Sequence, residues 1–157
     1  MTTPQPPAPL TEMKLTDEIK SALGDPFGSG NFAIISYVDG SGQPNLSFRG
    51  SIHVHSDNQV ALWARNPEGG LLKALKDNGG SGKVGIIYRN PTPDARAMLT
   101  FKGTAKIDDS AEAREKVYNE MPTQEQNSDK EKKGSAVIID LDSVDGMYPG
   151  ARVAMRK

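Results

Sequence analysis

The sequence predicts a domain of mainly β structure with a few helices, in the α+β class. Its 16 glycines and 11 prolines among 157 residues suit a sheet with many turns. Several segments alternate apolar and polar side chains with a period of two, which indicates half-buried strands. Such strands, joined by short turns, best protect their edges by curling, so we expect a six-stranded antiparallel β-barrel with flanking helices.

Composition excludes several kinds of site and partner. The formal net charge is −1, so no overall field attracts nucleic acid or an anionic membrane. The chain has no cysteine, which excludes disulfides, thiolate metal sites and cysteine nucleophiles. No apolar run approaches the ~20 residues that cross a bilayer, and the opening MTTPQPPAPL lacks the features of a secretory signal. We therefore expect a cytoplasmic protein that binds neither nucleic acid nor membrane.

Proline content and capping signals divide the chain. Four prolines in the first nine residues predict a disordered arm over 1–11, followed by one domain over 12–157. Apolar spacing predicts three helices, and the first of them ends at a Gly-Asp-Pro stop. The second is expected to begin with Asn66 as its N-cap and Pro67 at the first helical position, and the third with Asp109 as its cap. The predicted helices cover 14–23, 66–80 and 109–120.

Strand patterns occupy most of the remaining chain. The polar, charged segment 124–134 has no apolar periodicity and predicts a mobile loop. The residues after 141 are expected to form a short tail. The six predicted strands are 31–38, 45–56, 59–65, 83–90, 96–107 and 136–141.

The segment NLSFRGSIHVHS, residues 45–56, alternates most strictly. One face is apolar and consists of Leu46, Phe48, Gly50, Ile52 and Val54. The other face is polar and consists of Asn45, Ser47, Arg49, Ser51, His53 and His55. An H-x-H pair on a strand can bind a metal, but such sites need further imidazole or carboxylate ligands. Because no glutamate follows at a recognisable spacing, we expect polar packing or ligand contact from His53 and His55, and no metal site.

The polar face and the start of the second helix together predict an anion site. Arg49 and Ser51 lie beside Trp63 and Arg65 if the turn between their strands is tight. The helix N-terminus supplies free N–H groups, and Lys73 adds charge from its first turns. Two guanidiniums, a hydroxyl and a helix N-terminus suit a phosphomonoester. In the alternative interpretation the cations are separate surface charges and Trp63 belongs to the core.

Three stretches follow one another in an informative order: FAIISYVDGSGQPNLSFRG, VALWARNPEGGLLKAL leading to KVGIIYRN, and RAMLTFKGTAKI. Their order and spacing, over roughly residues 12–150, resemble the pyridoxamine 5′-phosphate oxidase-like, FMN-binding split-barrel superfamily. The resemblance implies a six-stranded antiparallel split β-barrel and a homodimer with FMN at its interface. The implied cofactor-binding residues are Arg49, Ser51, Trp63, Ala64, Arg65, Asn66 and Lys73.

The resemblance also implies a flavin-dependent oxidoreductase acting on an unidentified small molecule. Where many members have a basic cluster, this chain has Glu68-Gly69-Gly70, which leaves a deazaflavin or haem open in place of FMN. SVDGMYPGARVAMRK has no counterpart of the substrate-binding Arg and His segment of true pyridoxamine phosphate oxidases, so we do not expect oxidation of vitamin B6. The alternative is a non-catalytic cofactor-binding or sensory module on the same barrel.

Overall fold

The structure, a computed structural model, describes residues 3–4, 6–23 and 30–157. The elements in chain order are β1 (Leu10–Glu12), α1 (Asp17–Leu23), β2 (Ala33–Val38), β3 (Pro44–Arg49), β4 (His53–Ser56), β5 (Gln59–Ala64), α2 (Gly70–Asp77), β6 (Ser81–Asn90), β7 (Ala97–Ile107), α3 (Ala111–Glu120), α4 (Thr123–Asn127), β8 (Ser135–Tyr148) and β9 (Ala151–Arg156). A 3-10 turn, Pro93–Ala95, precedes β7.

The strands form one mixed sheet that curls without closing. Its main path runs β1-β9-β8-β7-β6-β2-β3, and β5 joins it through β8 and carries β4 on its other side. Strand β8 is long enough to pair with β5 over its first half and with β9 over its second half. The pairings are antiparallel except that of β1 with β9. The predicted split-barrel α+β class is confirmed, with three more strands than the sequence indicated.

Strand β5 contributes alternate side chains to two separate cores. Val60, Leu62 and Ala64 face the main core inside the barrel, which α2 also covers with its leucines. Ala61 and Trp63 face a second apolar cluster outside the barrel. The cluster is completed by residues of β8 and of the helical segment after β7, namely Ala113, Val117, Tyr118, Met121, Ala136 and Ile138.

The predicted single strand over 45–56 is two strands with different partners, so this prediction was wrong. β3 pairs with β2, whereas β4 pairs with β5, and residues 50–52 join them. Leu46 and Phe48 are 73% and 72% exposed, while Ile52 is fully buried in the main core. The apolar alternation is therefore real, but it faces outward before the break and inward after it.

Helix starts also differ from their prediction. α2 begins at Gly70 with Gly69 as its N-cap, whereas Asn66 caps a preceding turn by accepting a hydrogen bond from the backbone N–H of Glu68 at 3.0 Å. The N-cap of α3 is Ser110, whose hydroxyl accepts from the N–H of Ala113 at 3.3 Å. In both helices the observed N-cap lies later in the chain than the N-cap predicted from the sequence, which was Asn66 for α2 and Asp109 for α3.

Two segments predicted without regular structure are ordered. The predicted loop over 124–134 contains most of α4, and the backbone N–H groups of Lys133 and Gly134 both donate to the side chain of Asp129. The predicted tail after 141 continues β8 to Tyr148 and forms β9. The end of β8 was missed because its alternation is diluted by aspartates whose side chains bond to residues of other strands.

Some predictions fall where the chain is not described. The helix stop at Gly24, Asp25 and Pro26 lies outside the described residues, as do residues 1, 2 and 5 of the predicted arm. Within the segment predicted as an arm, Leu10 and Thr11 pair with β9 as part of β1. Across the described ranges, none of the helices combines the length and the apolar character that crossing a bilayer requires.

Candidate functional site

The polar side chains of residues 45–56 divide between two surfaces. The first, which we call the Arg49 surface, comprises Tyr37, Ser47, Arg49, Arg65 and Glu125. The second, which we call the histidine cluster, comprises His53, His55 and Glu120. The division follows from the break at 50–52, because β3 and β4 belong to different parts of the open barrel.

Arg49 ends β3 and carries a partly buried guanidinium. Its Nε atom is buried and has no hydrogen-bond partner among the described residues. Burial lowers the pKa of Arg49 below its usual value, and the positive charge of Arg65 lowers it further, whereas Tyr37 and Glu125 act in the opposite direction. The two arginines that the sequence placed in one anion site are thus close enough to interact electrostatically.

Ser47 lies two residues before Arg49, on the same side of β3. Its hydroxyl is buried and also has no partner among the described residues. A buried donor without a partner is unfavourable, so two of them side by side mark a place where a ligand or water can accept hydrogen bonds. The carboxylate of Glu125, on a residue only 8% exposed, supplies a negative charge near the guanidinium.

The N-terminus of α2 lies against the same surface through Tyr37. A Cβ added to Gly70 would come within 2.2 Å of the Tyr37 hydroxyl, so glycine is required for this close approach. No side chain caps the helix, which leaves N–H groups of its first turn available. Tyr37 therefore lies against the first residue of α2 and is close enough to Arg49 to influence its charge.

Three of the residues that the resemblance implied for cofactor binding instead make contacts inside the protein. The Ser51 hydroxyl exchanges hydrogen bonds with the backbone of Trp63. The indole of Trp63 packs edge-on against Tyr118, and its Nε1 donates to Asp129 at 2.8 Å. Ala64 is buried in the main core. These residues do not line the Arg49 surface with their side chains.

Lys73 is exposed on α2 and already has a partner. Its ammonium lies 2.9 Å from the carboxylate of Asp77, and this hydrogen bond raises the pKa of Lys73. It borders a groove between α2 and the β2–β3 turn that also contains Tyr37 and Asp39. Hydrogen bonds from the side chains of Ser41 and Asn45, and then from backbone N–H groups, lower the pKa of Asp39 to about 2. The groove therefore contains two carboxylates, those of Asp39 and Asp77. Lys73 is therefore a weak candidate for phosphate contact.

Sequence reasoning missed four contributors to these surfaces. Tyr37 occupies a core-facing position of β2 and carried no signal of its own. Glu120 and Glu125 come from helical elements far along the chain, and their contacts with β3 and β4 depend on the packing of α3 and α4. Only Ser47 had a usable signal, because it shares the polar face of β3 with Arg49.

The histidine cluster lies outside the barrel, against α3. The Nε2 atom of His53 lies 4.0 Å from a carboxylate oxygen of Glu120. Burial lowers the pKa of His53, while the Ser51 carbonyl and Glu120 act to raise it. The Lys116 ammonium donates to the backbone oxygen of His55 at 2.9 Å. The cluster is a partly enclosed polar site formed by β4 and the end of α3.

Comparison with known proteins identifies relatives only through their structures. No family model matches the sequence, and no curated protein matches it. HupZ of Group A Streptococcus has 20% identity and a TM-score of 0.62, with 88% of this chain and 98% of that chain covered. A pyridoxamine 5′-phosphate oxidase-related, FMN binding protein of Nostoc punctiforme has 13% identity and a TM-score of 0.63, with 85% and 83% covered.

General stress protein 26 of Bacillus anthracis is similar to the same extent. It has 14% identity and a TM-score of 0.60, with 89% of this chain and 99% of that chain covered. These likenesses span nearly whole chains at low identity, so what they share with this protein is its architecture. The protein therefore shares the split-barrel fold of these structures.

Proposed function

We propose that this protein binds FMN at the Arg49 surface and uses it for a redox reaction on a small molecule. One observation carries the proposal: the buried Nε of Arg49 and the buried hydroxyl of Ser47 are donors without partners, next to a second arginine. The fold supports the proposal, because one structural neighbour is described as an FMN binding protein.

The donor set fits a phosphate group. Arg49 and Arg65 supply guanidinium donors, which match phosphate oxygens in geometry and charge. The Ser47 hydroxyl and the uncapped N–H groups at the start of α2 add neutral donors. Glu125 offsets part of this positive charge and favours a site that holds Arg49 in place before the ligand arrives.

A bound flavin would supply the hydride chemistry itself, and the protein would supply binding and orientation. In this proposal Arg49, Arg65 and Ser47 hold the phosphate, and Tyr37 keeps the start of α2 next to them. Trp63 acts indirectly: its indole fixes the end of β5, from which Arg65 extends.

The outer face of the sheet supports a homodimer. Phe48 lies opposite Ile34, which in turn lies opposite Ile87, so apolar side chains cross β3, β2 and β6 without interruption. Large apolar side chains that water reaches on this face are Phe32, Val38, Leu46, Phe48, Ile87, Met98 and Met147. A contiguous apolar face of this kind is unusual for a monomer. We propose that a second copy of the chain covers it, which would place the Arg49 surface of each protomer near the interface.

The first test is cofactor uptake by the purified, untagged protein. We expect yellow protein, or protein that takes up FMN from micromolar solution, with a mass measurement identifying the ligand. Protein that is colourless and takes up neither FMN nor deazaflavin would overturn the proposal. Binding of deazaflavin or haem alone would also overturn the assignment of FMN.

The second test is substitution. Arg49→Ala and Arg65→Ala are each expected to weaken FMN binding by about 1.5–3 kcal/mol, or roughly 10- to 160-fold in Kd, because each removes charge-assisted hydrogen bonds. Arg96→Ala is the matched control, since Arg96 is an exposed residue of the loop before β7. Unchanged affinity in both site variants would show that the phosphate lies elsewhere.

The third test distinguishes an oxidoreductase from a module that only binds the cofactor. Anaerobic stopped-flow mixing of the FMN-loaded protein with NADH or NADPH would follow loss of the flavin absorbance. Rapid reduction followed by reoxidation through an added small-molecule acceptor supports the enzyme. Tight FMN binding with no reduction by either donor would favour the module.

A further inference from the structure

Two histidines of β4 and the last residue of α3 converge outside the barrel. His53 and His55 are two positions apart in β4, so their rings lie on the same face of the strand, and Glu120 approaches them from the end of α3. One ring nitrogen of each histidine and one carboxylate oxygen of Glu120 all lie within 4.8 Å of one another. Three side chains of the kinds that bind metal ions are therefore gathered from two separate elements.

The tautomer of His53 follows from the hydrogen bond made by its Nδ1 atom. Its Nδ1 lies 2.7 Å from the backbone oxygen of Ser51. A carbonyl oxygen only accepts, so Nδ1 carries the proton, and Nε2 of the neutral ring presents a lone pair. This arrangement, with one ring N–H bound to a backbone carbonyl, is the one that orients metal-binding histidines.

The atom that faces Nε2 is also an acceptor. A carboxylate oxygen of Glu120 lies 4.0 Å away, which is too long for a hydrogen bond and leaves Nε2 without a partner among the described residues. The Nδ1 atom of His55 is likewise buried without a partner there. The lone pair of His53, a second unpartnered ring nitrogen and a carboxylate are thus gathered within 4.8 Å of one another, an arrangement that a positive ion between them would stabilise.

The charged groups around the cluster are both acidic and basic. Burial lowers the pKa of His55 most, and the Lys116 ammonium lowers it further, whereas the carboxylates of Glu120 and Asp108 act to raise it. Lys116 is held by the backbone oxygen of His55 at 2.9 Å, and Lys20, which also borders the cavity, lies 3.9 Å from Asp17. Each lysine therefore has an oxygen partner of its own, and the Lys116 ammonium is also close enough to lower the pKa of both histidines.

We propose that the histidine cluster binds one divalent transition-metal ion through His53, His55 and Glu120. Two imidazole nitrogens and one carboxylate oxygen suit Zn²⁺ and its first-row neighbours, and leave at least one position for water. Ligands that are each about 2.1 Å from one ion lie at most about 4.2 Å apart, so the site closes slightly when the metal binds. The side chain of Glu120 is 44% exposed and supplies this movement.

The test uses untagged full-length protein treated with a chelator and then titrated with Zn²⁺ by calorimetry. We expect about one equivalent to bind, and Co²⁺ in its place to give visible absorption bands of nitrogen and oxygen ligation. Glu120→Gln and His55→Gln should weaken binding roughly tenfold or more. Glu112→Gln is the matched control, because Glu112 is an exposed acidic residue in the first turn of the same helix.

The outcomes separate a metal site from a structural ion pair. If His53 and Glu120 only formed an ion pair, Glu120→Gln would lower the thermal midpoint while neither protein bound Zn²⁺ or Co²⁺, and the proposal would fail. It would fail equally if all variants bound Zn²⁺ as tightly as the unmodified protein. Because the site is separate from the Arg49 surface, neither result depends on whether FMN binds.

Discussion

The hydroxyl of Ser51 exchanges two hydrogen bonds with the backbone of Trp63. It accepts from the Trp63 N–H at 3.0 Å and donates to the Trp63 carbonyl at 3.3 Å. Because residues 50–52 have left β3 and not yet entered β4, this side chain takes the place of a backbone pairing where the chain crosses between two parts of the sheet. The crossing is what separates the Arg49 surface from the histidine cluster.

Removing this hydroxyl should lower the stability of the protein. Ser51→Ala leaves the buried N–H and carbonyl of Trp63 without these partners, and we expect the free energy of unfolding to fall by about 1–3 kcal/mol. Urea denaturation followed by Trp63 fluorescence would measure the change. Ser128→Ala, at an exposed serine in a turn, is the control and should change stability by less than about 0.5 kcal/mol. Equal stability of the two variants would contradict the role given to Ser51.

The carboxylate of Asp129 should make stability depend on pH in acid. Burial raises its pKa, but hydrogen bonds from the Trp63 indole and from two backbone N–H groups outweigh burial, so the pKa lies below its usual value. A carboxyl with a lower pKa in the folded state contributes stability that is complete above its unfolded pKa of about 3.9 and is lost as the pH falls through the folded pKa.

Substitution tests this dependence directly. Asp129→Asn should be less stable than the unmodified protein at pH 7, and the difference should shrink as the pH falls below about 4. Thermal unfolding from pH 7 to pH 2.5 is the measurement. Asp94→Asn, at an exposed residue of the 3-10 turn, is the control. A difference that stays constant across this range would exclude the proposed ionised hydrogen bonds.

The charge of Glu125 should oppose a phosphate at the Arg49 surface. Its carboxylate stabilises the Arg49 guanidinium, and Glu125→Gln removes this competitor without removing the side chain. We expect Glu125→Gln to bind FMN more tightly, roughly three- to tenfold, and riboflavin unchanged, because riboflavin has no phosphate. Fluorescence quenching of both flavins gives the two affinities. Tighter binding of both flavins would point to a contact with the ring and not with the phosphate.

A charge on the outer face of the sheet should disrupt the proposed dimer. Phe48 is 72% exposed and lies on β3, at one edge of the apolar face, so Phe48→Glu would bury a carboxylate if a second copy covers it. Light scattering after size exclusion should show a shift from dimer to monomer, with unchanged circular dichroism. Gln124→Glu adds the same charge on α4 and should leave the mass unchanged. A monomeric unmodified protein would remove the basis of this prediction.

The sequence predicted the strands whose alternation matches a single buried face. β2, β6 and β7 lie close to their predicted bounds, because each packs one side against the barrel interior along its length. β5 was also predicted, although it is buried on both sides. The alternation predicted for β5 was correct. The second core was not predicted, because a residue such as Ala61 carries no information about which helix will cover it.

Long-range contacts account for most of what the sequence could not predict. The break after Arg49 is hidden because an alternating pattern is the same whichever face is buried, so Phe48 and Ile52 look equivalent in sequence. Glu120 and Glu125 reach the two polar surfaces only after α3 and α4 have packed on β5 and β8. Arg49 and Arg65 were the exception, because the short turn between β4 and β5 brings the residues just before β4 back beside the end of β5, as the Ser51–Trp63 hydrogen bonds show.

The crossing between β3 and β4 also determines what kinds of change this segment tolerates. The number of residues between Arg49 and His53, which is three, determines which side chains of β4 face inward. Val54 points toward the barrel interior and His53 points away from it. A single inserted residue would exchange these two directions, placing an imidazole in the apolar interior and a valine against Glu120. Length, more than composition, is therefore the constrained property of this link.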